Sequence, residues 1–373
     1  MIAPSAPKDT RKIPSLDGLR GVSILLVMLG HAQGTRGFPS WIPSFVTSHA
    51  SLGVQIFFVI SGYLITTLIL DEERNTGKIS LKLFYARRTI RIFPPLYLFL
   101  LCLTIGSWTG ILELPKYNLL FAATYMMNFV PSGTGTWVTG HLWSLSAEEQ
   151  FYLVWPAAIR FAGRARALAF AAILAVCSPL VALAVYQVNH DLGVRFSGVF
   201  SDSIACGCVL AGAMPWLRRQ KLFWAALSAR AGCLVVLIIP LIDHRNHPRI
   251  HLLVTETVLN LCVCYCIARY TEFPKTIGGR FLNNRAVGSV GRISYSMYLW
   301  QQLFLNMHGT ALLQAFPINM VATFCCAAIS YTIVERPLAS LRKRLRPNAT
   351  TTGLRFTNTP AANHRTYIRR HDA

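Results

Sequence analysis

Arg20 and His31 are the first residues of this chain that could do chemistry, because the stretch around them is otherwise apolar. Residues 16–33 read Leu-Asp-Gly-Leu-Arg-Gly-Val-Ser-Ile-Leu-Leu-Val-Met-Leu-Gly-His-Ala-Gln. At about 100° per residue the step from Arg20 to His31 is roughly three helical turns, which puts both side chains on one face about 16 Å apart. Asp17 stands one turn before Arg20 on nearly the same side. A polar stripe on a helix in hydrocarbon costs several kcal/mol unless it faces a bundle interior or a wet cavity, so this one marks a candidate site. A histidine at the end of such a segment could instead touch lipid headgroups; the other polar motifs favour the site.

Two further constellations could join it. The first is Phe84-Tyr-Ala-Arg-Arg-Thr-Ile-Arg-Ile-Phe-Pro-Pro95. Arg88 and Arg91 are one turn apart, so on a helix they share a face and could clamp one multivalent anion, with Arg87 close by. The planar guanidinium fork suits phosphate oxygens, and a nucleotide-type cofactor arriving from the cytosol would fit. Ordinary loop charge is the plainer explanation; the flanking aromatics and a break at Pro94-Pro95 suggest a shaped pocket. The second runs from His141 to Tyr152, His-Leu-Trp-Ser-Leu-Ser-Ala-Glu-Glu-Gln-Phe-Tyr. On a helix His141, Ser144, Glu148 and Tyr152 line one stripe, with Glu149 on the adjacent one. Carboxylates just inside a membrane helix need partners, although acids also gather in first turns for the helix dipole. Either glutamate could orient a histidine as base or hold a basic group.

Weaker signals complete the inventory. Ser61-Gly62-Tyr63 reads first as tight helix packing by small residues and second as a substrate contact. Glu335-Arg336-Pro337 reads as a terminal ion pair and helix stop. His244, His247 and His251 have ligand-like spacing, but their loop offers no acidic or cysteine cluster beyond Asp243, so no metal is expected. The ten cysteines all lie in apolar runs and behave as small hydrophobes; alternating Cys262, Cys264 and Cys266 would spread around a helix rather than converge on zinc.

The elements that must position these groups follow from composition. Of the 373 residues 53% are apolar and only 14% charged, with mean hydropathy +0.43. A soluble fold carries about 25% charged residues, so the fold class is all-α, a polytopic membrane bundle. The net charge of +21 is dispersed in short clusters between apolar runs, which argues against nucleic acid as a partner. Spans are expected at about 16–33, 52–70, 92–112, 141–159, 167–187, 197–217, 222–242, 251–269, 293–309 and 317–335, each near the 20 or so residues needed to cross hydrocarbon. With both termini cytoplasmic, inner loops 71–91, 160–166, 218–221 and 270–292 hold most of the arginine and lysine, whereas the outer loops hold only Arg36, Lys116, Arg195, Arg245 and Arg249. Residues 1–15 read as a cytoplasmic tail, 16–346 as the membrane domain and 347–373 as a disordered cytoplasmic tail near a basic inner-leaflet anchor at Arg342–Arg346. No cleaved signal, internal repeat or appended soluble domain is expected.

Together these segments resemble the membrane acyltransferases that O-acetylate surface polysaccharides, nodulation factors and macrolides, acyltransferase family 3. The resemblance is carried by Leu16-Asp-Gly-Leu-Arg-Gly21 with ten residues between Arg20 and His31, by Phe57-Phe-Val-Ile-Ser-Gly-Tyr63, and by Phe84 to Pro95. Trp143 to Tyr152, Ile293-Ser-Tyr-Ser-Met-Tyr-Leu-Trp300 and Glu335-Arg-Pro337 continue it in order. It implies a bacterial inner-membrane enzyme with an acyl-coenzyme A donor, most often acetyl. The implied acceptor is a hydroxyl on a carbohydrate or glycolipid such as lipopolysaccharide, exopolysaccharide or peptidoglycan. By the same resemblance His31 matches the essential histidine, and Arg88 and Arg91 match an arginine pair that meets the coenzyme.

The expected mechanism has His31 as general base, Arg87, Arg88 and Arg91 on the donor phosphates, and Arg20 on phosphate or oxyanion. Glu148 or Glu149 would orient the imidazole. Asp17, Ser61, Tyr63, His141, Ser144 and Tyr152 are candidate pocket residues. Direct transfer is preferred over an acyl-enzyme on His31 or Ser61. The rival from another class is a glycan or lipid-intermediate flippase without chemistry, in which the polar residues line a translocation path.

Overall fold

The computed structural model describes residues 14–43, 47, 50–131, 134–190, 202–229 and 248–345. Among the described residues the chain is helical with no strands. Nine longer helices carry it: α1 (Pro14–Ala32), α2 (Ala50–Thr76), α3 (Leu81–Trp108), α4 (Leu142–Ala162), α5 (Arg164–Val188), α6 (Asp202–Leu217), α7 (Glu256–Glu272), α8 (Arg285–Phe304) and α9 (Ile318–Ser330). A π-helical turn, His251–Thr255, leads into α7, and another, Tyr331–Glu335, joins α9 to a basic helix α10 (Arg336–Arg344).

Among the described residues six helices are long and apolar enough to cross a membrane, which makes this a multi-pass membrane protein. They are Ser15–Ala32, Ala50–Thr76, Leu81–Trp108, Arg164–Val188, His251–Glu272 and Ile318–Arg342. Helices α4 and α8 have 21 and 20 residues, a spanning length, but are too polar to be counted with the six. These two carry much of the candidate site. The apolar segment after Lys221 is described only as far as Ala229, so most of the expected span at 222–242 lies outside the described residues. So do most of the expected tails at 1–15 and 347–373 and the histidines at 244 and 247.

The charged segment 71–91, expected as a loop, is almost wholly helix. α2 runs on to Thr76, Gly77 turns the chain at φ +72°, and Ser80 caps α3 by accepting from the Leu83 N–H at 3.4 Å. Nothing between Leu81 and Phe93 breaks a helix, so the arginines ride on its first three turns. The helix also continues through Pro94 and Pro95, where a break was expected. Within a packed bundle neighbouring side chains and local adjustment satisfy the freed carbonyls, so proline does not end the helix.

In a bilayer, helices gain little from hiding apolar surface and associate where small residues let backbones approach. α1 meets α8 at Gly21 and Gly291, with Gly291 against the Asp17 carbonyl and Gly21 against the Val287 carbonyl, while Gly18 abuts the Leu282 carbonyl just before α8. α2 meets α6 at Gly62 and Gly207, each against a carbonyl of the other helix, Ile204 and Val59 respectively. α1 also packs on α2, α8 on α9, and α6 on α5. The first pair fixes α1 to α8, which sets His31 opposite the end of α8.

A side chain at Gly207 would run into the Val59 carbonyl, whereas one at Gly288 would meet only the end of Arg292 at 3.7 Å. Overpacking of this kind costs about 1–3 kcal/mol or more. Gly207→Val is therefore expected to lower the melting temperature and membrane yield of the purified protein, and Gly288→Ala to leave both near wild type. A thermal melt in detergent measures it.

Candidate active site

α1 delivers His31 in its last turn, and α8 delivers two adjacent amides to it. His31 Nδ1 lies 3.2 Å from Gln301 Oε1, and His31 Nε2 lies 3.4 Å from Gln302 Nε2. Both contacts are satisfied when Nδ1 carries the proton and donates to Gln301, leaving the Nε2 lone pair to face Gln302. Trp137 crosses the ring edge-on at 5.6 Å and is itself held by its indole N–H on the Leu305 carbonyl at 3.0 Å.

Gln302 serves a second imidazole. Its Oε1 accepts from the His141 backbone N–H at 3.0 Å and from His141 Nδ1 at 2.9 Å. One amide therefore bridges His31 and His141, using its carbonyl for one ring and its NH2 for the other. His141 is buried, with 3% of its surface exposed, and its Nε2 has no hydrogen-bond partner among the described residues. Tyr298 donates to the His141 carbonyl at 2.8 Å and pairs with the Ser144 hydroxyl at 2.5 Å. The predicted stripe on α4 thus begins as a neutral hydrogen-bonded network around His31.

Two turns further along α4 the stripe becomes charged. Arg88 Nη2 lies 3.8 Å from Glu148 Oε1, and Arg88 Nε lies 3.9 Å from Glu149 Oε1. The guanidinium carbon sits 3.5 Å above the centre of the Tyr152 ring, a cation–π contact. Ser61 and Tyr152 both donate to Glu148 Oε1, so one carboxylate oxygen gathers two hydroxyls and a cation. Arg91, one turn on from Arg88, lies in electrostatic reach of Arg20, Arg88 and Arg342. Glu335, held by the Ser296 hydroxyl at 2.5 Å, is in reach of Arg91, Arg342 and Arg20. Arg88 thus sits between Glu148 and Glu149, Glu335 lies in reach of Arg91, Arg342 and Arg20, and the Nε atoms of Arg20 and Arg88 are buried without hydrogen-bond partners among the described residues.

The sequence-based candidates separate accordingly. His31, His141 and Ser144 gather at one end of the stripe, and Arg20, Arg88, Arg91, Glu148, Glu149, Tyr152 and Ser61 at the other. Glu148 and Glu149 were expected beside the imidazole, but they hold Arg88, and the two glutamines hold His31. Arg87 points away from Arg88: it donates to Glu72 at 3.0 Å and to the Leu345 carbonyl at 3.1 Å. Neighbouring helical residues diverge by about 100°, so Arg87 and Arg88 cannot share a face. Tyr63 faces the opposite side of α2, towards Thr271, Arg218 and Glu272. Asp17 lends its backbone to the packing against Gly291, and its carboxylate joins none of the cluster's hydrogen bonds. His251 approaches Glu256 at 3.7 Å on the far side of the bundle. Sequence reasoning missed Gln301, Gln302 and Trp137, and read Arg342 only as part of an inner-leaflet anchor. Two adjacent amides at the end of an aromatic-rich apolar helix were the available signal.

An imidazole held at both nitrogens by adjacent amides stands at one end of the polar stripe, and a buried arginine cluster stands at the other. The sequence model described as an acyltransferase domain matches residues 13–335, and the chain belongs to this family, acyltransferase family 3. It is 26% identical over 368 residues to "Putative peptidoglycan O-acetyltransferase YrhL" of Bacillus subtilis strain 168, covering 88% of this chain and 55% of that protein. It is 28% identical over 360 residues to "O-acetyltransferase OatA" of Staphylococcus aureus strain NCTC 8325, covering 88% and 57%. The chain therefore spans little more than half the length of these relatives. No solved structure matches it significantly.

Misplacing a reacting group by about 1 Å can cost a hundredfold in rate. Gln302→Leu removes the bridging amide at nearly unchanged volume, and is expected to lower the acyl-transfer rate by about a hundredfold while leaving the donor KM near wild type. Steady-state kinetics in membranes check this; a raised KM at unchanged kcat would contradict a role at His31.

Proposed function

We propose that the protein is an O-acyltransferase of the bacterial inner membrane that moves an acyl group, acetyl first, from acyl-coenzyme A to a hydroxyl of an envelope glycan. One observation carries this reading: His31 presents Nε2 at one end of a polar stripe whose other end is an arginine cluster with spare hydrogen-bonding capacity. The names of the relatives make peptidoglycan the first acceptor to test, ahead of lipopolysaccharide or a glycolipid.

The arginine cluster suits a polyphosphate. Arg20, Arg88 and Arg91 supply cationic donors, and the buried Nε atoms of Arg20 and Arg88 gain partners when an anion binds. The co-substrate supplies an activated thioester. Glu148, Glu149 and Tyr152 hold Arg88 in a fixed orientation, so the clamp is preorganised. With the acceptor hydroxyl replacing the long 3.4 Å contact from the Gln302 amide, His31 Nε2 takes its proton as the oxygen attacks the thioester carbonyl, and the imidazolium returns that proton to the departing thiolate. Gln301 keeps the reactive nitrogen fixed by accepting from Nδ1. Direct transfer needs no covalent enzyme intermediate and is the simpler route.

The topology that serves this chemistry has ten spans with both termini in the cytoplasm. The arginines and lysines at and beside the turns from α2 to α3 (Arg74, Lys78, Lys82), from α4 to α5 (Arg160, Arg164, Arg166) and from α7 to α8 (Lys275, Arg280, Arg285) support it. The arginine cluster then lies towards the cytosol, where acyl-coenzyme A is made, and His31 towards the far leaflet, where glycans are modified.

Membranes given radiolabelled acetyl-coenzyme A and peptidoglycan fragments are expected to release free coenzyme A thiol and to acetylate the glycan. His31→Ala should reduce both by about 10²–10⁴-fold, the usual worth of a general base. Unchanged thiol release in His31→Ala would sink the assignment. Label trapped on the protein with donor alone would replace direct transfer by an acyl-enzyme.

A further inference from the structure

Helix α10 follows the last apolar helix and is strongly basic, Arg-Pro-Leu-Ala-Ser-Leu-Arg-Lys-Arg. It packs on α3, the helix that carries Arg87, Arg88 and Arg91. Arg87 ties the two together, donating to the Leu345 carbonyl at 3.1 Å while its other amino group holds Glu72 at 3.0 Å. Glu72 in turn accepts from the Ser80 N–H at 2.8 Å, so the start of α3 and the end of α10 are braced by one carboxylate–guanidinium pair. The brace brings Arg342, half-buried, into range of both Arg91 and Glu335. A basic helix that merely floated on the inner leaflet would direct its arginines to lipid phosphate and would need no such fixture.

The order of groups along the protein gives Arg342 a distinct place. His31 stands near the end of α1 and Arg20 about 16 Å back along the same helix. Arg91 lies in electrostatic reach of both Arg20 and Arg88, and Arg342 lies two turns, about 10 Å, beyond Glu335 along the chain. Along acyl-coenzyme A the order is thioester, flexible pantetheine arm, pyrophosphate, then the 3′-phosphate on the ribose. A donor with its thioester at His31 and its pyrophosphate on Arg20, Arg88 and Arg91 carries its terminal phosphate outward, to the level of α10. Resting on the acyl-coenzyme A reading above, we propose that Arg342 binds the 3′-phosphate of the donor, so that α10 distinguishes coenzyme A from donors lacking that group.

The test uses the full chain in lipid nanodiscs with acetyl-coenzyme A and acetyl-3′-dephospho-coenzyme A. A charge-assisted contact of this kind is worth about tenfold in binding. The wild type is expected to show a KM about tenfold lower for the 3′-phosphorylated donor, with similar kcat for both. Arg342→Gln should raise the KM for acetyl-coenzyme A to that of the dephospho donor at nearly unchanged kcat, and Arg342→Lys should retain part of the preference. Arg344→Gln, on the exposed side of α10, should behave as wild type. An active wild type that does not distinguish the donors overturns the proposal, whether or not Arg342→Gln folds. So does an Arg342→Gln enzyme that keeps the full preference. A wild type that turns over neither donor instead removes the acyl-coenzyme A reading itself, and this proposal with it.

Discussion

Everything in this protein depends on where buried guanidinium groups find their counter-charges. Hydrocarbon offers no solvation, so each arginine at membrane depth must meet a carboxylate, a π face or a ligand. Arg88 meets all the protein can offer: Glu148, Glu149 and the face of Tyr152. Arg20 and Arg91 are less well served: Arg20 Nε is buried without a hydrogen-bond partner among the described residues, and Arg91 faces the charges of Arg20, Arg88 and Arg342. The proposed anionic donor would supply the counter-charge they lack. The helices that build the site, α1, α3, α4 and α8, are held together by glycine contacts and by polar bonds between helices, such as Tyr295 to the Ile92 carbonyl at 2.9 Å.

The imidazole end is governed by the opposite rule. His31 and His141 are surrounded by neutral amides, hydroxyls and aromatic rings, with no carboxylate among the described residues hydrogen-bonded to either ring. A base whose charge appears only during reaction is best held by groups that fix its orientation without fixing its charge. Gln301 and Gln302 do this, and the step from neutral to charged surroundings occurs within two turns of α4. The separation matches the two halves of the proposed chemistry, a proton transfer at one end and anion binding at the other.

The sequence made much of this legible. Ionisable residues in apolar runs are rare enough to stand out, and helical spacing correctly grouped Arg88 with Arg91 and His141 with Ser144. It also grouped Glu148 with Tyr152. Its failures have physical causes. The arginines were assigned to a loop because charge was read as a boundary, whereas the helix capped by Ser80 carries Arg88 into the bundle, where Glu148, Glu149 and the Tyr152 ring meet it. Glu148 and Glu149 were paired with His31 because a carboxylate is the familiar partner of an imidazole; the spacing from His31 to their partners across helices is invisible in one chain. Gln301 and Gln302 leave no periodic trace in a segment read for its apolar and aromatic residues. Arg87 sits one residue from Arg88 and Tyr63 two from Ser61, and those short steps along a helix were enough to turn them away.

The most direct measurement is a structure of the protein in a lipid bilayer with a non-reactive thioether analogue of acetyl-coenzyme A. The expected result has phosphate oxygens hydrogen-bonded to Arg20, Arg88 and Arg91, and the acyl group beside His31 Nε2 with room for one hydroxyl oxygen between them. An analogue held away from those arginines, or one whose acyl end lies in a compartment that His31 does not reach, would contradict it.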